Sequence, residues 1–386
     1  MSDDAGGAQE SDKGSIGLLA QVFPRGVVDT AIGRAGVKEL KTRALPARLM
    51  VYFVIGMWLW SGVGYVRVLR KVTAGLRWAA EENGRAPLPY DGSIAKARAR
   101  LGEAVMADLF AGCAGPVGRA GEDGVFFAGL RVASLDGTVF DVKPTPQNLA
   151  AFAVPAGGVL PQVRLLAFAE CGTMALLGAV FDSIGVDERT LVTRLLPRFA
   201  PGMLVLADRG FPSFELWRDA AGTGADLAWR VSASFTLPIL EVLPDGTYLS
   251  RLRGRRKGEQ IVVRVVEYSV RDADTGISEV FALITTLLDP AAYPAEALAQ
   301  LYACRWQVEI LFKILKVEIR GSHAVLRSKS PAMVRQEMWG LLCCYQAVRL
   351  VTAHVAHRAD TKVTRIKFPE LLDAVRDCVA TAISPL

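Results

Sequence analysis

The run Tyr302-Ala-Cys-Arg305-Trp-Gln-Val-Glu309-Ile-Leu-Phe-Lys313-Ile-Leu-Lys316 constrains this chain more than any other stretch. Read as an α-helix at about 100° per residue, its steps of three, four and seven gather Tyr302, Arg305, Glu309 and Lys316 within roughly 60° of arc. The opposite side holds Val308, Ile310, Leu311, Ile314 and Leu315, enough apolar surface to bury the helix against a core. The remaining face carries one carboxylate flanked by a phenol and two cations. Solvated faces mix Lys and Glu without a Tyr in line, whereas this combination suits a metal ion held beside phosphates.

A metal ion held beside phosphates takes further carboxylates as its ligands. Val132-Ala-Ser-Leu-Asp136-Gly-Thr-Val-Phe-Asp141-Val reads as a β-strand carrying Asp136. Gly202-Met-Leu-Val-Leu-Ala-Asp208 reads as a short apolar strand with Asp208 at its C-terminal tip. Asp136, Asp208 and Glu309 lie 72 and 101 residues apart, so only a fold can assemble them. Three acids brought together repel one another unless a cation joins them. Asp141 rivals Asp136, but its odd offset of five places it on the opposite face of the strand.

The spacing Y-x2-R-x3-E-x6-K, with "LDGT" at Leu135 to Thr138 and "DRGF" at Asp208 to Phe211, resembles the insertion-element-four family of bacterial DDE transposases. The likeness runs from about Arg43 to about Arg349. It implies an α/β fold, a ribonuclease H-like mixed sheet with a β-rich insertion, preceded by an all-helical N-terminal domain. It implies catalytic and metal-binding roles for Asp136, Asp208 and Glu309, with two magnesium ions, or manganese in their place. By the same resemblance Tyr302, Arg305 and Lys316 hold transposon-end DNA; Lys313 is a further phosphate contact that the family's signature does not name. The activity implied is metal-dependent excision and integration of an insertion sequence, by hydrolysis and transesterification at its inverted-repeat ends. Its partners would be those ends, the target DNA and a second protomer in a synaptic homodimer. The alternative is a catalytically inactive end-binding repressor of transposition, against which the intact carboxylate triad argues.

The organisation along the chain agrees with that order. Residues 1–15 are rich in Asp, Ser and Gly and read as a disordered tail. Residues 16–120 read as a helical DNA-binding domain, with helices near Ile16–Val22, Asp29–Gly36, Pro46–Gly62, Val66–Glu82 and Ser93–Ala111. Between Val37 and Phe110 stand twelve Lys/Arg against six Asp/Glu. Ser93 as N-cap would set Lys96, Arg98 and Arg100 near a helix start, where cations and free N–H groups meet phosphates. Residues 125–350 read as the catalytic domain. In it, strands Val163–Cys171 and Met174–Asp182 join at Gly172-Thr173, and helices Asp187–Phe199 and Ser213–Ala221 alternate with strands ending at Asp208 and Ser232. An insertion over about 237–288 contains an Asp245-Gly246 turn and a basic loop, Arg251 to Lys257. Residues 351–386 read as a C-terminal helical segment. Trp229 and Trp306 read as core residues.

The chain's 386 residues are 51% hydrophobic with a net charge of +6, compatible with a polyanionic partner but not diagnostic of one. Six cysteines form no C-x-x-C pair, and His354 and His357 lack a carboxylate or thiol beside them, so reduced thiols and no zinc site are expected. Residues 1–15 are acidic and polar rather than a secretory leader, so a cytoplasmic location is expected, and the resemblance implies action at the bacterial nucleoid. Leu49–Val66 is eighteen uncharged residues long, the threshold for a bilayer span. Gly56, Ser61, Gly62 and Gly64 interrupt it, so it is predicted to be a buried helix of the helical domain rather than a membrane anchor.

Overall fold

Short apolar runs bounded by glycine and proline build the sheet that positions the carboxylates. The computed structural model describes residues 18–37, 39, 44–75, 89–232, 235–271, 278–321 and 325–381. They fall into two compact units, one of residues 115–139 and 163–312, the other within residues 1–114, 140–162 and 313–386. The division departs from the expected linear bounds of 16–120, 125–350 and 351–386: residues 313–349, expected in the catalytic domain, group with the N-terminal helices. The tail expected at 1–15 lies outside the described residues.

The strands are β1 (Phe126–Phe127), β2 (Leu130–Val142), β3 (Gln162–Glu170), β4 (Leu176–Ser183), β5 (Met203–Ala207), β6 (Asp226–Val231), β7 (Glu241–Val242), β8 (Tyr248–Arg253), β9 (Gln260–Arg271), β10 (Ser278–Thr285) and β11 (Val325–Leu326). Their order is β4-β3-β2-β5-β6-β10-β9-β8-β7, with β2, β5 and β6 parallel and β3 antiparallel to β4. The first five strands have the arrangement of the ribonuclease H-like fold. The β3–β4 hairpin turns through Gly172 at φ 82° and Met174 at φ 59°. A side chain at Gly172 would collide with the Asp123 carbonyl, so only glycine fits this close approach.

Period-two alternation gives the sheet two buried faces. Ala133, Leu135, Val205, Ala207, Leu227 and Trp229 pack with the helices Glu188–Leu195 and Phe214–Ala221. Val132, Leu204, Leu206, Ala228, Val266 and Leu283 pack instead with Leu298, Leu301 and Tyr302 of the helix Ala295–Tyr302. Asp187 and Ser213 cap the first two helices, accepting from the backbone N–H of Thr190 and Leu216. The insertion is β-rich and continues the sheet: β10 pairs antiparallel with β6, and β9, β8 and β7 follow outward. Its Asp245-Gly246 turn has Gly246 at φ 82°.

The second unit is built on the helix Pro331–Arg358, with Val334, Leu341, Tyr345 and Val348 all buried. The helix Ala47–Leu59 packs against it with every residue from Leu49 to Leu59 buried, and Trp58 Nε1 donates to the Glu337 carbonyl at 2.8 Å. An added methyl at Gly340 would lie 2.7 Å from a Val54 methyl, so the two helices cross too closely for a side chain there. Among the described residues no helix is long and apolar enough to cross a membrane. The expected helix Ser93–Ala111 is two, Asp91–Leu101 and Ala104–Cys113, broken at Gly102 with φ 74°. Tyr90, not Ser93, precedes the first of them. Of the expected Val66–Glu82, Tyr65–Gly75 is helical and the remainder lies outside the described residues.

Candidate active site

Strand register brings Asp136 beside Asp208. Leu135 pairs with Ala207 across the parallel β2–β5 ladder, so the next residue on each strand is an aspartate. Both have the parity of Val132, Leu204 and Leu206, which puts them on the sheet face covered by the helix Ala295–Tyr302. Glu309 comes to that face from the helix Gln307–Lys313. The link is Arg305: one nitrogen lies 3.3 Å from Asp136 Oδ2 and another 3.5 Å from Glu309 Oε1. One guanidinium thus spans two of the three acids.

Exposure and electrostatics follow from this packing. The side chains of Asp136, Asp208 and Glu309 are 22%, 32% and 45% exposed, and that of Arg305 only 5%. Burial pushes Asp136 up to about 6; the Gly137 N–H and Arg305 work against the rise, while Glu309 and Asp208 add to it. For Arg305, burial opposes the charge but Tyr302, Asp208, Asp136 and Glu309 outweigh it, holding the guanidinium above its ordinary range. Arg305 therefore feels all three acids. Asp208 Oδ1 is buried without a hydrogen-bond partner. These carboxylates have the chemistry that hard divalent ions take, but among the described residues no three acidic, histidine or cysteine side chains are gathered closely enough to hold one, and the Arg305 guanidinium stands between Asp136 and Glu309.

The structure redirects several expected DNA contacts. Tyr302 is 3% exposed and its hydroxyl donates to the Ala207 carbonyl at 3.1 Å, so it anchors its helix to the end of β5 rather than facing a ligand. The uniform helix expected from Tyr302 to Lys316 is instead an α-helix to Tyr302, a 3-10 turn Ala303–Trp306, an α-helix to Lys313 and a π-helical turn Ile314–Ile319. Each change of winding shifts the angular phase. Tyr302 and Arg305 are buried, at 3% and 4% exposure, and Ile310, expected in the core, is 50% exposed. Trp229 is fully buried as expected, but Trp306 is 54% exposed.

Lys313 and Lys316 belong to the other unit. Lys313 is exposed, whereas Lys316 is half-buried with its Nζ 5.6 Å from the Phe140 ring, and burial followed by Arg320 lowers its pKa. Of the N-terminal cations, Lys96 and Arg100 are exposed. Arg98 is not: it is 2% exposed and donates to Gln336, Tyr65 and Ser328 at 3.1, 2.6 and 3.4 Å. It shares the apolar stripe of Ile94, Ala97 and Leu101, a spacing that marks it as a core residue. Sequence reasoning also missed Arg230, which lies 3.9 Å from Asp208 Oδ1 and 3.8 Å from the Phe281 ring centroid. The signal was a charge inside the apolar strand Asp226–Val231 that flanks the Asp208 strand.

Comparison with known proteins agrees with this architecture. Residues 13–111 match the family described as insertion element 4 transposase N-terminal, and residues 128–347 match the transposase DDE domain. The chain is 25% identical to the transposase InsG for insertion sequence element IS4 of Escherichia coli (strain K12), over 337 residues covering 84% of this chain and 73% of that protein. Among solved structures, the cryo-EM structure of the piggyBac transposase synaptic complex with hairpin DNA aligns with a TM-score of 0.54 at 10% identity, covering 94% of this chain and 79% of that one, a likeness of fold. With a matched DDE domain that spans more than half of its length, the chain belongs to the insertion-element-four family of DDE transposases.

Proposed function

We propose that Asp136, Asp208 and Glu309 form the catalytic triad of a DNA transposase and hold two divalent ions, magnesium by preference. The observation that carries this reading is the adjacency of Asp136 and Asp208 at successive positions of paired parallel strands, with Glu309 tied to Asp136 through Arg305. When bound, the ions supply an activated water and compensate charge on the leaving oxygen. The protein's own groups do the rest. The Gly137 N–H fixes Asp136 Oδ1 at 2.7 Å, and Tyr302 holds the backbone just before Asp208. Arg305 offers a fork to the scissile phosphate, exchanging carboxylate partners for phosphate oxygens.

Water opens the strand at the element's end, and the freed 3′ hydroxyl attacks the opposite strand to close a hairpin. The hairpin is reopened and the end joined to target DNA. Lys316 and Lys313, with Lys96 and Arg100, contact the DNA backbone, and two protomers bridge two inverted-repeat ends on the nucleoid. The test is incubation of the full chain with magnesium and a labelled element-end duplex. Nicks and hairpins are expected from the wild type. Asp136→Asn, Asp208→Asn and Glu309→Gln should each abolish both while retaining end binding; a variant that cleaves normally removes that residue from the triad.

A further inference from the structure

Arg230 stands in the same transverse row as the two aspartates. Ala207 pairs with Trp229 across β5–β6, so Asp208 and Arg230 are the next residues on their strands, as Asp136 and Asp208 are across β2–β5. The row reads Asp136, Asp208, Arg230 on one face, at about 4.8 Å per strand. Leu283 of β10 pairs with Arg230, and Phe281, two residues away on the same face, receives the guanidinium over its ring at 3.8 Å. Tyr268 stacks on Phe281 in turn, centroids 5.5 Å apart and planes at 24°. The Arg230 side chain keeps 13% exposure, and its 3.9 Å from Asp208 Oδ1 is too long for a hydrogen bond. A cation oriented over a ring, in the same row as a catalytic carboxylate and still partly exposed, lies where a strand crossing that row passes.

We propose that Arg230 is a substrate-positioning residue that binds the backbone phosphate flanking the scissile one, on the side of the row away from Asp136. This rests on the reading that the triad is the cleavage site. The reason is charge order: an anionic strand laid across the row meets the acids at the scissile position and needs a cation beside them to hold its next phosphate. Arg305 serves the Asp136–Glu309 side, and Arg230 serves the Asp208 side. The insertion thereby has a task at the site, because Phe281 and Tyr268 both come from it.

The test uses the full chain, an element-end duplex and a set of duplexes in which single phosphates are replaced by neutral methylphosphonates, with binding measured in EDTA. For the wild type, one replacement flanking the cleaved position should weaken binding about ten-fold. Arg230→Gln should bind unmodified DNA about ten-fold more weakly and be indifferent to that replacement, while keeping wild-type sensitivity elsewhere. Its log–log salt slope should fall by about one. If Arg230→Gln keeps the full methylphosphonate profile, the residue only neutralises Asp208 and the proposal is overturned. If Arg230→Gln does not fold, Arg230→Lys decides: an unchanged sensitivity at the flanking position with lowered affinity supports a phosphate contact, and wild-type affinity throughout refutes a need for the guanidinium fork. If Asp208→Asn cleaves normally in the parallel assay, it is the site assignment that fails.

Discussion

The Arg305 guanidinium and the Asp136 carboxylate meet at 3.3 Å although 169 residues separate them in the chain. The same guanidinium lies 3.5 Å from Glu309, so a protein cation stands among acids that would otherwise face one another unscreened. That arrangement makes Arg305 a resident counter-ion for the metal-free protein, with consequences for stability as well as for DNA.

Replacing Arg305 by Gln should destabilise the metal-free protein by about 1–3 kcal/mol, the usual cost of leaving partly buried carboxylates uncompensated. Magnesium should restore most of the loss. Thermal melts with EDTA and with millimolar magnesium measure both. In the cleavage assay the same variant should lose about a hundred-fold in rate while its affinity for the ends changes less than about five-fold; an equal loss in both would make Arg305 a general DNA contact.

Asp136→Asn should stabilise the metal-free protein at pH 8. Asp136 is raised from 3.8 to about 6 on folding, so the native state prefers the protonated form, and stability is lost as pH rises through 6. The variant escapes that loss. Its advantage should be on the order of 1–2 kcal/mol above pH 7 and should vanish below pH 4. Denaturant melts across that range check the sign; a constant difference at all pH values would trace to packing instead.

Magnesium should raise the melting temperature of the wild type in the absence of DNA, because a ligand that binds only the folded state stabilises it. Asp208→Asn should abolish most of the increase. An equal rise in both proteins would locate the bound ion away from the triad.

Arg98 and its neighbours on the same helix should separate cleanly. Arg98→Ala removes a buried guanidinium from Gln336, Tyr65 and Ser328 and should cost about 3 kcal/mol. The pair Lys96→Gln and Arg100→Gln, on the exposed face, should cost no more than about 1 kcal/mol, the worth of the Arg100 hydrogen bond to the Leu45 carbonyl at 3.3 Å. It should instead weaken end binding and lower the salt slope by up to about two. Melts and salt-titrated binding on the two variants distinguish the roles.

The strand placement of Asp136 and Asp208 is legible because each sits at a fixed point of an apolar run, and strand periodicity is insensitive to small errors in the ends. The β3–β4 hairpin was legible from Gly172 for the same reason: one close backbone approach admits no other residue. The signature run was harder. Its spacing is regular only if the helix is, and the 3-10 and π turns at Ala303–Trp306 and Ile314–Ile319 answer to packing that no local pattern encodes. A regular helix would keep Tyr302 on the face of Glu309, whereas Tyr302 lies in the core. Arg98 presents the opposite case: its periodicity with Ile94 and Leu101 marks the core, while its charge points to the surface. Arg230 required knowing that β6 lies beside β5, a fact of topology rather than of sequence.

The pairing of β10 onto β6 gives the insertion a second meaning. Without it, β6 would be an edge strand presenting unpaired N–H and C=O groups beside buried Trp229 and Val231, an open template for other chains. A copy of this element that lost residues 237–288 would thus be more than slow or poorly selective. It would be sticky, and decay of such copies in a genome should pass through aggregation before it reaches mere inactivity.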